Sequence, residues 1–208
     1  MRLKHVKGAD EAIKKSNYII QDPYVLKGKY SSVFKNNNPI YLEVGMGKGD
    51  FLIENALKYP NINFLGIEKY DSVIVRAVQK LEVEDIPNLR LIRMNANEID
   101  KVFDKEISCL YLNFSDPWPK DRHTKRRLTS EYFLEKYDHI LKTQHIIMKT
   151  DNRNLFEYSI ISLTNYGYKI NDISLDLHNS DVKDNIETEY EKKYSAKGLP
   201  IYKIDVFK

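Results

Sequence analysis

The 208-residue chain is 42% hydrophobic and 30% charged, with a formal net charge of +3. That length suits one domain burying about 70% of its unfolded surface, and no tract is biased enough to be called disordered. The small net charge excludes a general polyanion binder, so locally concentrated basic charge is the informative feature. One cysteine, Cys109, lies in an apolar run; this excludes a disulfide framework and argues against a cysteine-based zinc site. The five histidines show no metal-ligand spacing, so no metal is expected. No segment approaches the length of a membrane span, and Met1-Arg2-Leu3-Lys4-His5 has no apolar stretch behind it; a soluble, cytoplasmic protein is expected.

Residues 1–38 read as a polar, lysine-rich arm without a strong period, in which Asp10 to Ile20 can carry a short helix. Lys35-Asn36-Asn37-Asn38-Pro39 is a turn cluster that ends it. Strands and helices then alternate. Ile40 to Val44 is an apolar strand, Asp50 to Tyr59 a helix, Asn63 to Ile67 a strand ending at Glu68, and Ser72 to Glu84 a helix. Leu89 to Arg93 forms a third strand and Ile107 to Asn113 a fourth. A helix over Thr129 to Leu141, a strand over His145 to Lys149 and a helix from Asn152 to about Asn165 follow. Tyr168 to Leu175 and Ile201 to Phe207 complete a seven-stranded set, separated by a polar insertion over 176–199.

This alternation predicts an α/β, Rossmann-like, doubly wound and mainly parallel sheet with helices on both faces, in a single domain spanning 1–208. In that architecture ligands lie in the crevice at the carboxyl ends of the strands. Glu43, Glu68, Asn95 and Asn113 to Asp116 are therefore expected to face one crevice.

Glu43-x-Gly45-x-Gly47-x-Gly49 follows a strand and opens a helix, and its glycines let backbone approach a ligand closely. A dinucleotide site calls for G-x-G-x-x-G. Here the spacing is G-x-G-x-G, and the acidic residue would repel a pyrophosphate but can hold an ammonium. S-adenosylmethionine carries an ammonium and a sulfonium and no phosphate, so it fits better. Glu68 can accept from both ribose hydroxyls. Asn95 can accept from an adenine amino group, although a turn-forming asparagine reads equally well there.

Asn113 to Leu128, NFSDPWPKDRHTKRRL, joins an acidic, proline-rich aromatic corner to five cations: Lys120, Arg122, Lys125, Arg126 and Arg127. The prolines forbid both helix and ladder pairing at the strand end. Asp116 can accept from N–H groups of a flat base while Trp118 stacks on it. A basic run attached to that corner suits a polyanion beside a reactive centre.

The order LEVGMGKGDF, GIEKY, NFSDPWPKDRHTKRRL, KTDNRNLFEYS and TEYEKKYSAKGLPIYKI resembles the bacterial tRNA (guanine-N7-)-methyltransferases from about Tyr30 to the C-terminus. The resemblance implies a class I methyltransferase fold, S-adenosylmethionine as cofactor and a guanosine in the variable loop of tRNA as acceptor. It implies that Glu43, Gly45, Gly47, Gly49, Glu68, Asn95 and Asp116 line the cofactor site, with Asp116 also catalytic. Lys120, Asp151, Thr188, Glu189, Tyr190 and Glu191 would hold the guanosine or its nucleotide. Arg122, His123, Lys125, Arg126 and Arg127 would contact the RNA. A monomer and a homodimer are both compatible with the sequence. An oxidoreductase shares the glycine loop but lacks a Tyr-x-x-x-Lys pair, a non-catalytic RNA module leaves Glu43 and Glu68 idle, and a small-molecule methyltransferase has no use for clustered cations.

Overall fold

The computed structural model describes residues 6–182 and 184–208. Its seven strands are β1 (Ile40–Val44), β2 (Asn63–Glu68), β3 (Leu89–Arg93), β4 (Ile107–Asn113), β5 (His145–Thr150), β6 (Lys169–Ser174) and β7 (Tyr202–Phe207). They form one sheet in the order β3-β2-β1-β4-β5-β7-β6. All pairings are parallel except those of β7 with β5 and β6, which are antiparallel. The order reverses between β1 and β4, the switch point at which an open α/β sheet leaves a crevice.

Eight helices accompany the strands among the described residues: α1 (Ala9–Lys15), α2 (Tyr30–Phe34), α3 (Asp50–Lys58), α4 (Asp71–Leu81), α5 (Ile99–Val102), α6 (Glu131–Ile140), α7 (Arg153–Asn165) and α8 (Glu189–Ser195). One apolar layer unites α1, α3 and α4 with β2 and β3. The other packs α2, α5, α6 and α7 against β1, β4, β5 and β7. In α4 the spacing of Ile74, Ala77, Val78 and Leu81 puts all four on one buried stripe. β2 is buried along its whole length, as expected of a central parallel strand covered on both faces. No helix among the described residues is long and apolar enough to cross a membrane.

Three segments differ from the sequence expectation. The N-terminal arm is packed onto the sheet: Ala9 and Ile13, four residues apart, are buried against α4, and Tyr30 is fully buried against Phe103. Ile20 N–H donates to the Leu91 carbonyl at 2.9 Å and Leu91 N–H to Tyr18 at 2.8 Å, which extends the pairing beyond β3. The four-residue α5 is too short to show a period. In the polar insertion, α8 is started by a capping box in which Thr188 accepts from Glu191 N–H and the Glu191 carboxylate accepts from Thr188 N–H. The first five residues, which include part of the arm, lie outside the described ones.

Gly66 in β2 determines how the glycine loop sits. A Cβ there would run into Sδ of Met46, the buried residue of the loop itself, and a buried Leu52 methyl. We expect Gly66→Ala to lower unfolding stability by roughly 1–3 kcal/mol, measured by denaturant unfolding; an unchanged midpoint would show that Met46 repacks freely.

Candidate functional site

At the carboxyl ends of β1 to β4 lies a cavity of about 600 Å³, whose walls include Gly45, Glu68, Asn95, Asp116, Trp118 and Arg126. Four residues singled out from sequence as cofactor-lining thus share one wall. The glycine loop is pulled across β2: Gly45 and Met46 N–H groups both donate to the Ile67 carbonyl, at 2.8 and 3.0 Å. Gly45 and Gly47 have φ of 81° and 60°, and a Cβ at either would meet nothing within 4 Å. The loop therefore combines a backbone conformation that favours glycine with open space for a ligand.

Glu68 is held by the backbone. Its carboxylate accepts from Gly47 N–H (3.2 Å), Lys69 N–H (2.8 Å) and Tyr70 N–H (3.0 Å). Burial raises its pKa above the ordinary value, these three N–H groups pull it down, and the nearby Asp116 charge raises it further. Three accepted bonds fix the carboxylate and leave lone-pair capacity for a ligand hydroxyl.

Glu43 does not line the cavity. It lies at the end of β1, 2% exposed, with one oxygen accepting from Asn113 Nδ2 at 2.8 Å. The other oxygen, Oε2, is buried without a partner, and so is Asn113 Oδ1. Burial pushes the Glu43 pKa up to about 7, against the pull of the Asn113 bond and the Lys149 charge. An unpaired buried carboxylate oxygen is costly and points to a missing cationic or donor group. Asn95 caps the short turn that follows β3: its Oδ1 accepts from Asn97 N–H at 3.0 Å, which leaves its amide nitrogen as a donor.

The acidic-aromatic corner is strained and clamped. Phe114 and Trp118 have φ of 48° and 42°, a region side chains rarely adopt. Arg127 holds the turn: its guanidinium donates to the Pro117 and Trp118 carbonyls at 3.1–3.3 Å and lies over the Tyr158 ring at 4.3 Å. Arg126 lies over the Trp118 ring at 4.8 Å, and His123 meets that ring edge-on at 5.6 Å. Arg127 thus braces the corner, a role that its sequence assignment as an RNA contact did not include. Lys120, Arg122 and Lys125 are exposed.

The Thr188 to Glu191 segment divides by role. Glu191 is fully buried and accepts from Lys149 Nζ at 2.5 Å, Asn185 Nδ2 at 2.6 Å, Thr188 N–H at 3.3 Å and His178 Nε2 at 3.1 Å. With both oxygens engaged it has no room for a guanine edge, contrary to the sequence expectation; Thr188, as the helix cap, is similarly engaged. Burial lowers the Lys149 pKa, and the Glu191 carboxylate opposes that shift. Glu189 pairs with Lys48 at 2.6 Å. Tyr190 packs on Phe114 with ring centres 5.1 Å apart, and burial, then its contact with Tyr194 and then the charge of half-buried Asp151 raise its pKa. Phe114, Tyr70, Met94 and Phe133 also line the cavity. Phe114 lies in the Asn113 to Asp116 stretch expected at the crevice; the other three were missed, since nothing in local pattern separates them from core or surface residues, although Tyr70, two residues after Glu68, was the most legible.

Comparison with known proteins agrees with this geometry. A family model described as "Putative methyltransferase" matches residues 37–204. Among solved structures, an antibiotic-related methyltransferase superposes with a TM-score of 0.69 at 13% identity, covering 93% of this chain and 98% of that one. A 16S rRNA (adenine(1408)-N(1))-methyltransferase from Catenulisporales acidiphilia, solved with its cosubstrate SAM, gives a TM-score of 0.64 at 10% identity, covering 90% and 92%. At such identities the likeness concerns the fold. Sequence relatives are much nearer. The tRNA (guanine-N(7)-)-methyltransferase of Lachnoclostridium phytofermentans is 48% identical over 100% of this chain and 99% of its own length. That of Oceanobacillus iheyensis is 51% identical over 98% and 97%. Half the residues are shared across essentially the whole of both chains, so the chain belongs to the tRNA (guanine-N(7)-)-methyltransferase family.

Proposed function

We propose that the chain transfers the methyl group of S-adenosylmethionine to N7 of a guanosine in the variable loop of tRNA. The observation that carries this reading is the meeting, in one cavity, of the Glu68 carboxylate, the open glycine loop and the Asp116-Trp118 corner, with exposed cations directly following that corner. The residues fit the cofactor. Glu68 retains acceptor capacity for ribose hydroxyls, and Asn95 offers an amide N–H to the adenine ring. We assign the ammonium group to the orphaned Glu43 Oε2, which lies behind the cavity lining, so binding must open a path to it. When bound, S-adenosylmethionine supplies an electrophilic methyl carbon on a sulfonium.

Guanine N7 carries an in-plane lone pair and no proton, so no general base is needed at that atom. The lone pair forms the new N–C bond as the S–C bond breaks, its electrons remaining on sulfur, and the guanine becomes cationic. Asp116, exposed at the cavity wall, holds the N1–H and amino edge of the base and offsets the developing charge. Asp151, beyond β5 and beside Tyr190, orients the nucleotide. The remaining work is positioning, which can contribute about 7–11 kcal/mol when both reactants are held in line.

The direct test is transfer of labelled methyl to unmodified tRNA followed by nucleoside analysis. Label is expected in 7-methylguanosine, and label in another nucleoside would overturn the choice of atom. In the same assay Asp116→Asn should lower the single-turnover rate roughly 10²-fold with little change in cofactor affinity. A full rate would remove Asp116 from the electrostatic role.

Glu43 predicts a pH dependence. A folded pKa near 7, above the ordinary 4.5, means its contribution to stability is fully present below pH 4.5 and lost as the pH rises through 7. The difference in unfolding free energy between the ligand-free wild type and Glu43→Gln should change with pH across that window. Its slope should reach at most about 1.4 kcal/mol per pH unit. Cofactor binding near pH 7 should release up to about half a proton more from the wild type than from the variant, read by calorimetry in buffers of different ionisation enthalpy. Equal proton release would place the ammonium elsewhere.

For the basic segment, replacing Arg122 and Lys125 by alanine should weaken tRNA binding and flatten its log–log salt dependence by about 1–2 units. Cofactor affinity should be unchanged. Arg127→Ala, in contrast, should lower thermal stability, because it releases the Pro117 and Trp118 carbonyls.

A further inference from the structure

The residues of α8 that sequence alone would assign to reading a guanine edge are mostly engaged in holding the helix. Thr188 is its cap, Glu191 is buried on Lys149, and Glu189 is paired with Lys48. What this helix offers to a substrate is aromatic. Phe114 forms part of the cavity wall; Tyr190, 42% exposed, packs on it at 5.1 Å. Tyr194, one turn further along α8, stacks on Tyr190 at 4.2 Å with the ring planes only 23° apart. The ammonium groups of Lys193 and Lys197 lie 5.6 and 5.0 Å from the centre of the Tyr194 ring.

We propose that Phe114, Tyr190 and Tyr194 form a stacking ladder leading out of the cavity, on which an unpaired base of the tRNA beside the target guanosine stacks. Lys193 and Lys197, at the outer end, meet the adjoining phosphates. This rests on the reading of the chain as a tRNA methyltransferase and extends it to a second nucleotide.

Three features carry the inference. A row of packed rings, the outer pair near-parallel and Phe114 tilted by 43° to Tyr190, with cations at its open end, is a surface suited to unpaired nucleic acid, because every base has a π-face and every nucleotide a phosphate. The row starts at a cavity wall, so a base on it is continuous with a base in the site. The helix bearing it is fixed independently of substrate: its anchor is a buried ion pair at 2.5 Å with partners 4% and 0% exposed, and its first turn is a capping box. Such a support lets the rings meet RNA without a cost of ordering the helix.

The test compares wild type with Tyr194→Phe, Tyr194→Leu and Tyr194→Ala, measuring tRNA affinity by filter binding, cofactor affinity, melting temperature and the single-turnover methylation rate at saturating tRNA. Tyr194→Phe keeps the ring and should bind tRNA as wild type does. Tyr194→Leu fills much of the volume without a π-face; both it and Tyr194→Ala should raise the tRNA Kd about tenfold. Cofactor affinity and the saturated rate should hold. Tight tRNA binding by Tyr194→Leu would overturn the ladder and leave Tyr194 as packing. Weakened cofactor binding in step with weakened tRNA binding would also overturn it, because the loss would then come from the site as a whole. Since binding is read directly, a wild type that binds tRNA and transfers no methyl would overturn the proposed reaction and leave the ladder standing.

Discussion

The structure depends on a row of buried polar groups across three strand ends. Glu43 on β1 takes a hydrogen bond from Asn113 on β4, Asn113 is the register partner of Lys149 on β5, and Lys149 closes the row on Glu191 of α8. Each of these residues is at most 5% exposed. A buried charge without a partner costs several kcal/mol, so each member constrains the next. The row fixes how the glycine loop, the end of β4 and α8 sit relative to one another. The buried residues at its two ends differ in kind. Glu191 is saturated with donors and makes a fixed joint, whereas Glu43 retains an oxygen with no partner, and burial raises its pKa.

Above this row, strain and clamping shape the corner that receives the acceptor base. Phe114 and Trp118 hold left-handed backbone that a free chain would abandon, and conformations of this kind persist only where surrounding contacts determine them. Phe114 N–H donates to the Lys149 carbonyl at 2.8 Å, and Arg127 grips the carbonyls of Pro117 and Trp118. The basic run is therefore not uniform. Arg127 braces the corner, while Lys120, Arg122, Lys125 and Arg126, the last lying over the Trp118 ring, are exposed to an approaching polyanion. Charge that looks equivalent along the chain is sorted by which groups find a carbonyl or a ring within reach.

Much of the fold was legible because burial imposes short-range order. Strands that are covered on both faces must read as apolar runs, and helices packed on them must carry a stripe of period 3.6, so β1 to β5 and their helices announce themselves. The strand-end rule put Glu43, Glu68, Asn95 and Asn113 to Asp116 on one crevice; the cavity is lined by Glu68, Asn95 and Phe114 to Asp116, while Glu43 and Asn113 are buried away from it. The N-terminal arm was not legible, because Tyr30 and Ile13 are isolated apolar residues whose partners, Phe103 and α4, are distant in sequence.

Composition and spacing by themselves determined the architecture, the glycine turn and the acidic-aromatic corner, since each is specified by local sterics or by alternation along a few residues. Only the tertiary structure decided what individual charged side chains do. Glu191 and Glu189 are separated by one residue on one short helix, yet one is sealed in the core against Lys149 and the other pairs at the surface with Lys48. Glu43 and Glu68 lie at the ends of neighbouring strands, yet one is buried against Asn113 and the other opens onto the cavity. A carboxylate's partners are set by which distant strand or helix comes to lie against it, and neighbours in the chain carry no record of that.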